Sequence, residues 1–250
     1  MNAVRDTTIL LGRSMRHIRR SPDTLITVAV MPVAFLLLFT YVFGGAIDVG
    51  AADYVNYLLP GILVIAVATG ISYTAVRLFT DVQNGIVTRF HAMPVARSSV
   101  LWAHVLTSLV ANALSLTVIV AVAFVTGFRP HAGVLGWLAA IGILVLLTYA
   151  LTWLAVIPGL TATSVDGASA FSYPLILLPF VSSAFVPTAT MPTPVRVFAE
   201  HQPVTAIVDT LRALLDGRPA GTSIWPALGW CVGIAVVAQV VALRIHRRLP

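Results

Sequence analysis

Lysine is absent from this chain of 250 residues, and all fifteen basic side chains are arginine. Glutamate is reduced to Glu200 and cysteine to Cys231. Each shortage excludes something. Without lysine the chain cannot carry the phosphate loop G-x-x-x-x-G-K-[ST], whose lysine reaches the phosphates of a nucleotide. A single cysteine permits no disulfide within the chain and no two-thiol redox chemistry. Set in an apolar run, Cys231 reads as a small buried or lipid-facing hydrophobe. A basic set made only of arginine fits GC-rich coding, as in a high-GC bacterium.

Charge is scarce altogether. Charged residues make up 10% of the chain and hydrophobic ones 58%, with a mean hydropathy of +0.95. Soluble domains carry about 25% charged residues. This chain has too little polar surface to coat itself in water, and its solvent is a membrane.

A bilayer core about 30 Å thick needs about 20 apolar residues of helix. Six stretches meet or approach that length: 25–44, 57–76, 100–124, 134–157, 168–186 and 224–243. None contains Asp, Glu or Arg, each of which costs about 2.5–3.5 kcal/mol at mid-membrane on insertion scales. The first stretch is too long, and begins too far along the chain, for a cleaved signal. In the fifth, Pro174, Pro179 and Pro187 interrupt the run, so a kinked span packed inside a bundle is expected, as a structural helix or as a flexible element lining a path.

Arginine placement sets the orientation. With a cytoplasmic N-terminus, the inner segments hold Arg5, Arg13, Arg16, Arg19, Arg20, Arg77, Arg89, Arg97, Arg244, Arg247 and Arg248. The outer segments hold only Arg129, Arg196, Arg212 and Arg218. Six spans return the C-terminus to the cytoplasm. The expected fold is an all-α integral membrane protein, a single transmembrane domain over 1–250.

Three segments outside the spans show helical periodicity. In 4–20, Val4, Leu11, Met15 and Ile18 share one face, opposite Arg13, Arg16 and Arg20. This is the pattern of a helix lying at the cytoplasmic interface among lipid headgroups. In 78–93, Phe79, Val82, Ile86, Phe90 and Met93 step by three or four. Pro94 stops that helix, and Ser98 or Ser99 caps the next. So long an ordered connection between two spans favours a docking helix for a cytoplasmic partner over a helix that floats on the lipid interface. In 203–216, Val204, Ile207, Val208, Leu211, Leu214 and Leu215 form an apolar stripe, with Asp209, Arg212 and Asp216 on the polar face. Pro203 opens this helix and Gly217 stands in a C-terminal cap position. It is expected at the outer surface, as a plain surface helix or as a lid over an exit path.

Other chemistry is missing. Proton-driven transporters place a carboxylate inside the membrane. The nearest candidate here is Asp166, in the turn before the fifth span, where a turn or capping role competes with a proton site. The histidines show no HExxH or other metal-ligand spacing, and the Ser164–Asp166 stretch shows no GxSxG elbow. His104, near the cytoplasmic end of the third span, reads as a hydrogen-bonded interfacial residue. Asn112 and Gln239 read as interhelical hydrogen-bond partners. A membrane-crossing chain with no engine of its own and a helical platform on the cytoplasmic side suits a transporter powered by a separate ATPase.

These segments together resemble the membrane subunit, or permease, of type 2 ABC exporters of the daunorubicin-resistance kind. "LLGRSMRHIRRSPDTLI" is similar to that family's N-terminal connecting helix. "DVQNGIVTRFHAMPVARSSVLWAH" resembles its coupling segment, with Asp81, Gly85, Arg89, Pro94 and Arg97 at the recurring positions. "FVPTATMPTPVRVFAEHQPVTAIVDTLRALLDG" resembles its outer segment, with Met191, Pro192, Pro203, Arg212 and Gly217. The resemblance implies two copies of an ATP-binding subunit and a second membrane subunit, identical or homologous. ATP and Mg would be held by that partner ATPase, with no cofactor or metal in this chain. Phe79, Asp81, Val82, Gly85, Ile86, Arg89, Phe90, Pro94 and Arg97 would then form the ATPase-coupling segment, and Pro203, Asp209, Arg212 and Asp216 an outer gate helix. The implied work is export of a hydrophobic or amphipathic small molecule, a drug or antibiotic, from a bacterial cell across its cytoplasmic membrane. Lipid or lipid-linked glycan export is the alternative within the family. A proton-coupled secondary transporter is the alternative outside it. Lipids are expected partners and nucleic acid is not.

Overall fold

The computed structural model describes residues 22–45, 54–86 and 97–248. Among them there are helices and no strands. Helix α1, Pro22–Leu38, runs into a π-helical turn at Phe39–Phe43. Then follow α2 (Tyr54–Gln83), α3 (Arg97–Val125), α4 (Val134–Thr161), α5 (Val165–Ala170) and α6 (Ser172–Leu177). A 3-10 turn at Leu178–Val181 and another at Thr188–Thr190 lead to α7 (Thr193–His201), α8 (Pro203–Leu215) and α9 (Ile224–Arg248). The expected interfacial helix 4–20, with Arg13, Arg16 and Arg20, lies outside the described residues.

Four helices are long and apolar enough to cross a membrane: Tyr54–Gln83, Ser99–Val125, Val134–Thr161 and Ile224–His246. Two shorter apolar helical segments, Ala29–Phe43 and Val165–Val181, come from the first and fifth stretches. Within the fifth stretch the helix is broken into short pieces rather than running unbroken over 168–186. Its prolines explain the breaks. Pro174 cannot donate to the carbonyl one turn back, and the chain turns between α5 and α6. Pro179 does the same where α6 tightens into the 3-10 turn.

Helix α2 is the axis of the bundle. It packs against α1, α3, α4, α5, α6 and α8. In lipid, helices associate through close packing and hydrogen bonds rather than through water exclusion, so small residues mark the contacts. Gly61 faces Ala184, and Gly159 of α4 faces Leu78 and the Ala75 carbonyl. At Gly70 a Cβ would overlap the Asn112 side chain. Aromatic rings tie α1 to the broken fifth segment, with Phe39 stacked on Phe185 at 4.6 Å and Phe185 on Phe180 at 4.9 Å between centroids.

The outward faces of α3 and α9 are bare and apolar. Val110, Leu114 and Val118 on α3, and Val232, Val236 and Val237 on α9, are all exposed. Faces of this kind suit contact with hydrocarbon or with another membrane chain. The molecule is a multi-pass membrane protein.

At about 1.5 Å per residue, the 30 residues of α2 span about 45 Å, more than the ~30 Å hydrocarbon core. The excess carries Arg77 to Gln83, so residues 78–83 belong to α2 rather than opening a separate helix. After Gly70 no glycine or proline interrupts the chain until Asn84–Gly85. There Gly85, at φ +66°, makes the turn.

Candidate functional site

Polar groups, including the candidate site residues, gather at the two ends of α2. At one end, the amphipathic helix read from 203–216 forms as α8, Pro203–Leu215. Val204, Ile207, Val208, Leu211 and Leu215 are buried, and α8 packs on α2, α4 and α9. Pro203 begins the helix, where its missing N–H costs nothing. Gly217 adopts φ +70°, and a Cβ there would run into the His131 carbonyl. His131 N in turn donates to Leu215 O at 3.0 Å, pinning the loop before α4 to the end of α8.

Arg212 is the centre of this end. Its Nε and Nη2 donate to the Tyr57 carbonyl at 3.2 and 3.1 Å. Nη2 also donates to Ser183 O at 2.7 Å, and Nη1 to Asp209 Oδ1 at 2.8 Å. The guanidinium stands 3.8 Å from the centroid of the Tyr57 ring. Ser183 Oγ donates to the same Asp209 oxygen at 2.6 Å. Burial pulls the Arg212 pKa below its ordinary value, while Tyr57 and the carboxylates of Asp209 and Asp216 pull it back. An arginine stays charged through such a shift.

The carbonyls freed by the broken fifth segment are collected here. Gln202 Nε2 donates to Leu178 O at 3.2 Å and also to Val181 O. Thr205 Oγ1 receives Ser183 N at 3.4 Å. One largely buried arginine and one buried glutamine thus serve a stretch that cannot satisfy itself, as lipid demands. Asp216 does not pair with Arg212 at the i,i+4 spacing. It pairs with Arg218 at 2.6 Å on the surface, where an ion pair adds little.

At the other end lie the expected coupling residues. Phe79 is buried within the chain, and Val82 packs on the cluster of Leu78, Leu101 and Trp153. Asp81 Oδ2 is 3.2 Å from His104 Nε2 on α3, and Arg77 Nη2 is 3.3 Å from His104 Nδ1. Gly85 makes the turn, and Ile86, half-buried, is the last described residue of this stretch. Arg89, Phe90 and Pro94 lie outside the described residues, and Arg97 opens α3. Between the two ends, Gln239 Oε1 of α9 accepts the Tyr149 hydroxyl of α4 at 3.1 Å, the interhelical bond expected of it. Asn112 instead donates within its own helix, to Ser108 O at 3.0 Å.

An apolar cleft of about 270 Å³ opens between α3 and α4, floored by Leu59 and Leu63 of α2 and roofed by Leu211 and Leu215 of α8. Its two hydroxyls are already engaged, Thr117 with Ala113 O and Thr148 with Leu144 O. Apart from these hydroxyls and the Trp137 indole the lining is aliphatic, and it holds no titratable group. Among the described residues, no group of three or more His, Cys, Asp or Glu side chains is placed to hold a metal ion.

Sequence reasoning found α8 and its arginine but not what the arginine holds. Tyr57 and Ser183 act partly through backbone carbonyls, which carry no residue signature. Arg77 and His104 each stood out as polar residues at a span end, and their four-residue relation to Asp81 and Ser108 was the available signal.

Comparison with known proteins agrees with this architecture. Residues 5–215 match the family model described as ABC-2 type transporter. The chain is 29% identical over 249 residues to a daunorubicin resistance ABC transporter permease protein of Streptomyces coeruleorubidus, covering 98% of this chain and 87% of that one. It is 26% identical over 246 residues to a probable doxorubicin resistance ABC transporter permease protein of Mycobacterium tuberculosis, covering 98% and 89%. With more than half its length matched by the family model, this chain belongs to the ABC-2 type transporter family as a membrane permease.

Proposed function

We propose that the chain is the permease subunit of an ATP-driven exporter that moves a hydrophobic or amphipathic drug-like molecule out of a bacterial cell. The observation that carries this reading is the end-to-end similarity to permeases named for daunorubicin and doxorubicin resistance. The family implies an ATPase partner and a dimeric membrane unit in general. In the form proposed here, two ATPase copies hold ATP and Mg, and two membrane subunits, identical or homologous, enclose the path. The chain crosses the cytoplasmic membrane six times, with both termini inside.

Two features support this division of labour. The cytoplasmic excess of α2 and the turn at Gly85 carry the chain beyond the bilayer, toward the segment 86–96 that would seat in the ATPase. At the opposite end, α8 lies across α2, α4 and α9, held by Arg212, as a gate over the outer mouth. The apolar cleft fits a cargo that binds by shape and hydrocarbon contact rather than by charge.

The test is a complex co-expressed with the ATPase encoded beside it, in lipid nanodiscs, with daunorubicin as the probe. Drug should stimulate ATP hydrolysis, and a Phe90→Glu variant, or Ile86→Glu, should abolish that stimulation. A well-folded chain that binds no ATPase, or a Phe90→Glu complex that transports like the parent, overturns the reading.

A further inference from the structure

Helices α2 and α3 meet along a polar line. From its cytoplasmic end inward, α2 presents Asp81, Arg77, Thr74 and Gly70, at steps of four, three and four residues. α3 presents His104, Ser108 and Asn112 at steps of four. Such spacings place each set on one helix face. Thr74 Oγ1 donates to Ser108 Oγ at 2.9 Å, and Ser108 Oγ lies 3.1 Å from Thr152 Oγ1 of α4. Asn112 closes the line. Its Oδ1 is buried with no hydrogen-bond partner, in the space Gly70 leaves by lacking a Cβ. Thr74, His104, Ser108 and Asn112 are all buried.

The head of the line is the His104 ring, and its chemistry is fixed by its neighbours. A guanidinium only donates hydrogen bonds. Nδ1, facing Arg77 Nη2 at 3.3 Å, therefore presents its lone pair. The ring proton stands on Nε2, facing Asp81 Oδ2 at 3.2 Å. In this arrangement the ring accepts from Arg77 and donates to Asp81, both on α2. Only a side chain with an acceptor and a donor at opposite edges can do this.

Helices α2 and α3 are also the two that the cytoplasmic connection joins. A displacement of that connection either parts their ends or carries them together. We propose that His104 is a positioning residue of the transport cycle, which locks Arg77 and Asp81 of α2 to α3 so that movement of the segment after Gly85 reaches the buried Ser108–Asn112 line. This rests on the exporter reading above.

The experiment compares the parent complex with His104→Leu, His104→Gln and Asp81→Ala, each reconstituted with the ATPase, well below its unfolding temperature. The readout is daunorubicin-stimulated over basal ATP hydrolysis at equal complex assembly. His104→Leu keeps the volume and removes both bonds, so the stimulation should fall at least about tenfold, the effect of losing one charge-assisted hydrogen bond alone. Asp81→Ala, at a partly exposed position that tolerates truncation, should follow it. His104→Gln offers both a carbonyl and an NH₂ group and should recover most of the stimulation. A merely structural histidine would lower the melting temperature in both His104 variants without separating leucine from glutamine in coupling. A stimulated parent matched by His104→Leu and Asp81→Ala, or a glutamine variant as uncoupled as leucine, overturns this inference alone. A parent without drug-stimulated hydrolysis overturns the exporter reading and this inference with it.

Discussion

Gly61 of α2 lies so close to Ala184 that a Cβ on Gly61 would stand 2.6 Å from the Ala184 Cβ. This contact seats the irregular fifth segment directly on the central helix. Gly61→Ala forces the two backbones apart and should cost about 1–3 kcal/mol, the usual range for overpacking. Ala184→Gly, which empties the same space, should cost less. The double variant should return most of the loss, because the two changes share one volume. Unfolding in detergent with increasing denaturant, read by circular dichroism, measures all three. Strictly additive losses would mean that the contact does not exist in the bilayer.

Arg212 makes a stronger prediction. Its truncation to methionine leaves the Tyr57 and Ser183 carbonyls and the Asp209 carboxylate without their donor. Hydrogen bonds to charged groups contribute about 1.5–3 kcal/mol each, and the loss is not additive, so Arg212→Met should cost about 3–5 kcal/mol. Arg212→Lys keeps the charge but not the fork that reaches two carbonyls and a carboxylate at once. It should recover less than half. Thermal unfolding of the purified variants decides the ranking. If lysine equals arginine, charge alone holds the outer end, and the fork geometry is irrelevant.

Tyr149 and Gln239 should matter much less. Their bond joins α4 to α9 inside the bundle, but such bonds in membrane proteins average only about 0.6 kcal/mol, because the separated helices find other partners. Tyr149→Phe should therefore shift stability by less than ~1 kcal/mol in the same unfolding assay. A loss above ~2 kcal/mol would mean that the Gln239 amide has no alternative partner once the hydroxyl is gone.

How far the sequence could be read follows from where each signal resides. The second, third, fourth and sixth apolar stretches became long helices, because uninterrupted hydrocarbon leaves the backbone no other way to satisfy itself. The stripe from Val204 to Leu215 was legible for the same reason, since periodicity is a property of side chains. The continuation of α2 through Arg77 to Gln83 was not legible. Polar residues mark where a helix leaves the membrane, not where it ends, and only Gly85 carried the stop. The short helix α7 escaped notice among Pro192, Pro194 and Pro203. The partners of Arg212 escaped because two of them are carbonyls, and the backbone is the same at every residue. His104 was readable as an interfacial hydrogen-bonding residue, but its bridge to Arg77 and Asp81 needed the register of two helices, which no single helix period contains.

The orientation across the membrane is open to a direct chemical test. Asn84, at the turn after α2, and Arg218, just after α8, are both exposed. They lie at opposite ends of the bundle, one beyond the Asp81–His104 contact and the other beside the Arg212 cluster. From arginine asymmetry the Asn84 end is expected in the cytoplasm. Cys231, only 1% exposed, should resist maleimide in the folded protein, and Cys231→Ala removes it as a background. In that background, an Arg218→Cys variant should react with a membrane-impermeant maleimide in intact spheroplasts. Asn84→Cys should react only after the membrane is opened. The reverse pattern would invert the protein and turn the proposed gate into the cytoplasmic face. Equal labelling of both in intact spheroplasts would put the two positions on one side and remove α8 as an outer lid. The assay reads only which side each thiol faces. It therefore tests the placement of coupling and gate independently of any ATPase or drug.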